Sequence, residues 1–337
     1  MNNNIYLIFD WNVDERHIVY RKLVEKGYNM KLIGCKQVIP NSPINKIYFI
    51  IHYFFYCLKI VLKSRDGDLL IFRLDTLGVI SYWLSRLLFR TRKIIIINIL
   101  LKKKSGIIGK ITRTVYKKAL TDKNTLYTVT SVHFGEELQK YLGIDKTPYL
   151  LRDDYGNLEK LNSEFDDCGR TVFCGGNNGR DWELMMNIAR HMTDVKFYII
   201  MPPSEFEKFA GNVLQNVTLL KNIPTETFFE IQKKCSLTVL PLNTQAPAGL
   251  IVIFSAGLME KAIITSDTVC TREYINNGSE GTLLTNDLKQ YIQCINQQLI
   301  DIDKRKTLGK NLKTKIVSTF SPENYIQTLS ECIDIML

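Results

Sequence analysis

The sequence predicts an α/β protein of two doubly wound, Rossmann-like domains facing one another across a central cleft. Three observations carry that prediction. Short apolar runs alternate with segments of helical periodicity along nearly the whole chain, the rhythm of successive βαβ units. The rhythm breaks once, in a polar, acidic and weakly periodic stretch from Leu151 to Gly169. The formal charge changes sign at the same place, from +14 over residues 1–150 to −4 over the remainder. A chain of 337 residues also exceeds one typical core and suits two. The expected division is an N-terminal domain 1–155, a linker 156–169, a second domain 170–320, and a C-terminal helix 321–337 turned back toward the first domain.

In the first domain, Ile5 to Phe9 is an apolar strand ending at Asp10, Val13 to Lys26 has helical spacing that stops at Gly27, and a strand follows at Met30 to Ile33. Doubly wound sheets bind ligands at the carboxyl ends of their strands. Asp10 stands at such an end, where it either caps the next helix or acts on a substrate. The glycine-rich turn that would cradle a phosphate is missing there.

Ile47 to Lys63 is dense in aromatics, among them Tyr48, Phe49, Tyr53, Phe54, Phe55 and Tyr56, with lysines at its flanks. It reads either as a buried core helix or as a helix lying in a membrane interface. A strand from Asp68 to Arg73, an apolar helix to Phe89 and a strand from Lys93 to Asn98 come next. Residues 86–118 then hold eleven basic side chains and no acidic one. Of these, Arg86, Arg90, Arg92, Lys102, Lys103, Lys104, Lys110 and Arg113 are the candidates for a membrane or acceptor surface. The bland alternative is a solvated face; against an anionic leaflet each charge is worth about 1 kcal/mol. Nucleic acid is not indicated, because aromatic platforms do not alternate with the charges as single-strand binding requires. A strand from Thr125 to Val129 and a helix from His133 to Tyr141, capped at Thr130-Ser131, complete the half.

The composition, 45% hydrophobic and 23% charged, is that of a globular chain. The longest uncharged apolar run, Ile47 to Leu58, falls short of the roughly twenty residues a membrane span needs. Eight cysteines without a CxxC pair, and an N-terminus without a basic leader, point to free thiols in the cytoplasm.

The second half restarts with a strand at Thr171 to Cys174 and the turn Gly175-Gly176-Asn177-Asn178-Gly179-Arg180. Glycines let a backbone approach a ligand, and Arg180 offers a fork that matches phosphate oxygens; the alternative is a tight turn with Arg180 paired to a carboxylate. Strands at Val195 to Ile200 and Val217 to Leu220 follow, with helices around Ser204 to Ala210 and Glu226 to Cys235. Leu237 to Leu240 is then a strand leading through Pro241 to Ala248-Gly249, a small-residue helix, and a strand at Ala262 to Thr265. That loop could lay backbone amides against an anion at a helix N-terminus. Asp66-Gly67-Asp68 and Asp301-Ile302-Asp303 have a spacing that can hold a divalent metal, but they fall at a turn and in a helical region, and are rejected as metal sites. No zinc spacing and no G-x-S-x-G is present.

Four strings in order, V-F-C-G-G-N-N-G-R-D-W (172–182), V-L-P-L-N with A-G-L-I-V-I (239–253), E-K-A-I-I-T-S-D-T (260–268) and R-E-Y-I-N-N-G-S-E-G-T-L-L (272–284), resemble the donor domain of glycosyltransferase family 4-like enzymes of the GT-B fold. The resemblance covers residues 170–300; the first half matches only in its rhythm of strands and helices. It implies a hexosyltransferase-type enzyme that moves a sugar from a nucleotide-diphosphate donor with retention, without a metal and without a cofactor. It places Gly175, Gly176, Arg180, Gly249 and Leu250 at the donor diphosphate, and Ile223, Pro224, Ser255 and Glu273 at the nucleoside and sugar. The family's E-x7-E glutamates would fall at Pro247 and Ser255, so the chain departs from the pattern there, and Glu273 is the only acid nearby. The expected partners are a nucleotide sugar, a lipid-linked or saccharide acceptor and an anionic membrane surface, in surface polysaccharide biosynthesis at the inner face of the cell membrane. The other reading is a catalytically degenerate GT-B partner subunit.

Overall fold

The computed structural model describes residues 3–38, 43–101 and 103–337, so the candidate Lys102 lies outside the described residues. The chain forms two compact units, Met1–Arg152 with Pro322–Leu337, and Asp153–Ser321.

The first unit runs β1 (Ile5–Ile8), α1 (Ile18–Glu25), β2 (Met30–Ile33), α2 (Pro43–Lys63), β3 (Leu69–Phe72), α3 (Asp75–Leu87), β4 (Lys93–Ile96), α4 (Gly106–Thr121), β5 (Thr125–Val129), α5 (Val132–Leu142) and β6 (Tyr149–Leu150). The strands form one parallel sheet in the order β2-β1-β3-β4-β5-β6. A parallel sheet is covered on both faces, so its strands read as unbroken apolar runs; all four residues of β3, Leu69 to Phe72, have no exposed surface. One face packs against α2, α3, α4 and α5 through Tyr53, Cys57, Leu77, Tyr82, Ala119 and Leu138. The other packs against α1 and a C-terminal segment through Val19, Leu23, Ile326, Leu329 and Ile333.

Two local features differ from expectation. Helix α1 starts at Ile18 rather than Val13, because the Asp14 carboxylate takes the Arg16 backbone N–H at 2.9 Å and its guanidinium as well, closing a turn that competes with the helix. Asp10 is therefore not the cap of that helix; His17 holds the N-cap position and no side chain caps it. Arg92, counted as a surface charge in the sequence, is 4% exposed: it donates to the Ser64 hydroxyl at 2.8 Å and the Ser64 carbonyl at 2.7 Å, and pairs with Asp66. Asp68 accepts the backbone N–H groups of Asn4 and Arg65, so both carboxylates of that Asp-x-Asp string tie the turn before β3.

The second unit begins with a 3-10 turn, Gly156–Leu161, inside the stretch expected as a linker; its Leu158 and Leu161 pack on the unit's own core. It continues with β7 (Thr171–Gly175), α6 (Trp182–His191), β8 (Lys196–Ile200), α7 (Pro203–Phe209), β9 (Val217–Leu220), α8 (Thr225–Lys233), β10 (Leu237–Leu240), α9 (Leu250–Leu258), β11 (Ala262–Ser266), α10 (Thr271–Tyr274), β12 (Thr282–Leu284), α11 (Leu288–Ile300) and α12 (Ile302–Thr319). Its sheet is parallel in the order β12-β11-β10-β7-β8-β9, which is the Rossmann arrangement when counted from β7. Helices α6 and α11 cover one face, α9 and α12 the other. Asp301 caps α12, accepting the Lys304 N–H at 2.9 Å.

The chain ends with α13 (Pro322–Met336), which supplies the C-terminal packing of the first unit. Among the described residues no helix is long and apolar enough to cross a membrane.

Candidate functional site

In the second unit's sheet, β7 and β10 are neighbours, and the helices that follow them lie on opposite faces. Chains leaving these two strands diverge, and the gap outside their carboxyl ends is where doubly wound sheets hold ligands. The turn after β7 and the loop after β10 meet at that gap. Asp181 N–H donates to the Pro241 carbonyl at 2.9 Å, Asn243 N–H to the Gly179 carbonyl at 2.9 Å, and Asn243 Nδ2 to the Arg180 carbonyl at 3.1 Å.

Glycine is required twice in the first turn. Gly176 sits at φ +121°, where a Cβ would come 2.2 Å from Arg180 Nη2, and Gly179 at φ +69°, where a Cβ would meet Thr244 at 2.4 Å. The space so released is filled by the Arg180 guanidinium. Arg180 is 6% exposed and donates from Nε to the Gly175 carbonyl at 3.0 Å and from Nη1 to the Asn178 carbonyl at 2.5 Å. Among the described residues no carboxylate pairs with it. Burial pulls its pKa below the ordinary value, yet a guanidinium stays protonated, so a positive charge is held inside the turn. Loop carbonyls satisfy it without neutralising it.

Gly249 reaches the same charge from the other loop. It takes φ +81° as the N-cap of α9, and a Cβ there would lie 3.6 Å from Arg180 Nη1. The Gly249 carbonyl accepts the Val252 and Ile253 N–H groups, while the amides of Leu250 and Ile251 have no acceptor within the helix. The structure thus brings Gly175, Gly176, Arg180, Gly249 and Leu250 together at the switch point: a buried cation beside a helix N-terminus, both of which attract anions.

The other candidates divide. Ile223 and Pro224 follow β9, two strands from β7; Pro224 is the N-cap of α8, whose Phe228 ring closes over Gly175, where a Cβ would approach to 2.6 Å. Glu273 is half-buried on α10. Ser255 must be corrected: it has no exposed surface, and its hydroxyl donates to Gln232 Oε1 at 2.6 Å between α9 and α8. It sits on the inward face of an apolar helix, so it offers nothing to a nucleoside. Replacing Ser255 by Ala strands the Gln232 carbonyl and is expected to cost about 1–2 kcal/mol of stability with no change in ligand affinity, read by thermal unfolding and titration side by side.

The polar tether behind the site was not anticipated. Ser266 Oγ accepts the Leu242 N–H at 2.7 Å, and Asn286 donates to the Leu242 carbonyl at 2.7 Å and to Asp181 at 3.2 Å. Ser266 is the last residue of β11 and Asn286 lies just past β12, and only their position at the close of an apolar run marks them in the sequence.

In the first unit Asp10 follows β1, next to β3 in the sheet, so it too stands at a switch point. It is half-buried; burial raises its pKa, opposed by a hydrogen bond from Gln37 and by the charge of Arg73. Of the basic candidates, Arg86 pairs with Asp122, Arg90 donates to the Val61 and Leu62 carbonyls at the end of α2, Lys103 pairs with Glu137, and Arg113 lies over the Tyr141 ring at 5.5 Å. Lys104 and Lys110 are exposed. Among the described residues no group of three His, Cys, Asp or Glu side chains is placed to hold a metal ion.

No family model matches the chain, and no curated protein resembles it in sequence. Solved structures do resemble it in fold. HepE from Anabaena, determined in complex with UDP-glucose, superposes with a TM-score of 0.67 at 12% identity, covering 98% of this chain and 99% of its own. Sucrose-phosphate synthase from Thermosynechococcus elongatus gives 0.71 at 15% identity over 98% of each chain. A glycosyltransferase from Rickettsia africae gives 0.68 at 13% identity over 99% of each. This chain's two six-stranded parallel sheets flanked by helices match these structures in fold, and the chain has the GT-B fold of two Rossmann-like domains.

Proposed function

We propose that the protein is a glycosyltransferase that moves a sugar from a nucleotide-diphosphate donor to a lipid-linked or saccharide acceptor. One observation carries the reading: the buried Arg180 guanidinium flanked by Gly176 and by the Gly249 N-terminus of α9, at the switch point of a Rossmann sheet. HepE, which shares the fold, is described with UDP-glucose. In the transfer, the bond from the sugar's anomeric carbon to the diphosphate breaks, a bond to an acceptor oxygen forms, the acceptor hydroxyl loses its proton, and the nucleoside diphosphate departs. Negative charge accumulates on the departing diphosphate. Donors fixed in advance at that charge lower the barrier most, because they need not reorganise. Arg180 with the Leu250 and Ile251 amides would supply them, which favours a reaction needing no metal; retention of configuration follows from the family 4 resemblance. The basic first half favours an acceptor in surface polysaccharide assembly, presented at the inner face of a membrane.

Titration with a panel of nucleoside diphosphates and their sugars, followed by hydrolysis and transfer assays, tests this. One nucleoside diphosphate is expected to raise the unfolding temperature in proportion to the logarithm of its concentration above Kd. Binding of none overturns the reading. Binding without turnover of any sugar nucleotide would support the second reading, a non-catalytic partner subunit, which Pro247 and the buried Ser255 favour because neither carries the family's carboxylate.

A further inference from the structure

The first unit carries an apolar surface that its own fold does not use. Helix α2 is apolar on both sides: Tyr53, Cys57, Ile60 and Val61 face the core, while Ile47, Ile50, Ile51, Phe54 and Phe55, spaced three and four residues apart, are 42–63% exposed. Helix α4 repeats the pattern with Ile107, Ile108 and Ile111, 58–78% exposed. Between these helices lies α3, joined to α4 by the Trp83 Nε1–H bond to the Val115 carbonyl at 3.3 Å. An open groove of about 350 Å³ runs over the three, lined by Phe54, Val79, Ile80, Trp83, Leu87 and Val115 and almost wholly apolar. Exposed apolar side chains clustered on neighbouring helices around an apolar groove mark an interaction site.

Phe89 supplies a second, independent observation. It ends α3 at φ +52°, in the left-handed region where glycine is the usual residue, and it is 98% exposed. Arg90, next in the chain, bonds the Val61 and Leu62 carbonyls and fixes this turn beside the end of α2. A phenyl ring held in solvent on a strained backbone contributes no packing within the chain, so its use lies outside it.

The surrounding charge selects the occupant. Lys59, Lys63, Lys104, Lys110 and Lys118 are exposed, and none forms an ion pair among the described residues. A second copy of this surface would bring like charges together, whereas an anionic bilayer pairs them while its chains take the apolar side chains. We propose that the outer face of α2, α3 and α4, with the Phe89 turn, inserts into an anionic phospholipid bilayer, and that the groove between the helices accommodates a hydrocarbon chain. This gives the membrane-bound acceptor of the proposed function a physical means of approach, and rests on that reading only there. It also places the membrane contact on apolar residues rather than on Arg86, Arg90 and Arg92, whose guanidinium groups are bonded to Asp122, to the carbonyls at the end of α2, and to Ser64 and Asp66.

The experiment is flotation with vesicles of phosphatidylglycerol and phosphatidylcholine against phosphatidylcholine alone, at low and high salt. Binding to the anionic vesicles is expected, weakened but not abolished by salt. Phe89→Gly is the decisive variant, because it relieves the backbone: its unfolding temperature should hold or rise while vesicle partition falls about tenfold, as expected for withdrawing one buried aromatic side chain. Ile108→Ser with Ile111→Ser should lower partition further. No binding at low salt, or partition unchanged in both variants, overturns the proposal. So does concentration-dependent dimerisation in ultracentrifugation that the same variants abolish, since it would assign the surface to a second copy. Nucleoside-diphosphate binding measured on each variant should be unchanged, which separates failure here from failure of the donor reading.

Discussion

Arg180→Ala is expected to lower kcat/KM for the sugar donor by at least about 100-fold, equivalent to roughly 3 kcal/mol of transition-state stabilisation. The guanidinium is the cation buried against both loops of the switch point, and water cannot replace it as a fixed countercharge. Part of the loss is structural, because the Gly175 and Asn178 carbonyls lose their donor; stranding a buried acceptor costs about 1–3 kcal/mol. Two comparisons separate the effects. Arg180→Lys keeps the charge but cannot fork to both carbonyls, and is expected to recover only part of the activity. Titration with the nucleoside diphosphate against the bare nucleoside is the second: a role at the diphosphate predicts loss of the first affinity and retention of the second. Equal loss of both, tracking a fall in unfolding temperature, would reduce Arg180 to a structural clamp.

Gly309→Val is the second large effect, on stability. Helix α12 passes so close to the end of α9 that a Cβ on Gly309 would lie 2.0 Å from the Glu260 carbonyl oxygen and 2.4 Å from its carbon. That backbone cannot yield easily. Glu260 sits at φ +52°, its carboxylate accepts the Phe165 N–H at 3.1 Å and pairs with Lys313 at 3.0 Å, and its own N–H is bonded to Gly257. Overpacking against fixed backbone is expected to cost about 3 kcal/mol, a fall of about 10 °C in the midpoint of a domain of this size, measured by calorimetry. Gly257→Ala provides the contrast. Its nearest obstacle is the far end of Ile316 at 2.2 Å, a side chain that can turn aside, so its penalty should be smaller.

The sheets were legible because strands covered on both faces can hardly read otherwise: I-Y-L-I in β1 and L-L-I-F in β3 have no polar alternation to misplace. The turn after β7 was legible for a related reason, since the glycines at 176 and 179 that mark it in the sequence are required by its positive φ angles. What failed to show depends on contacts distant in the chain. Nothing near Arg92 indicates that Ser64 and Asp66 will surround it, nor near Ser255 that Gln232 will take its hydroxyl. Helix α2 marks a different limit. Periodicity assigns a buried face by contrast with a polar one, and a helix apolar all round offers no contrast, so its core side and its open side became separable only once the sheet was in place.

Helix α13 carries a consequence for how the molecule is made. Ile326, Leu329 and Ile333 complete one face of a sheet whose strands were all synthesised before residue 152, with the second unit lying between them in the chain. During translation the second unit is contiguous and can close as it emerges, while the first must wait, one side of its sheet bare, until α13 has left the ribosome after it. Ending the chain at Ser321 would therefore leave apolar strand surface uncovered in every molecule, and yield and solubility would fail before any measurement of catalysis could begin.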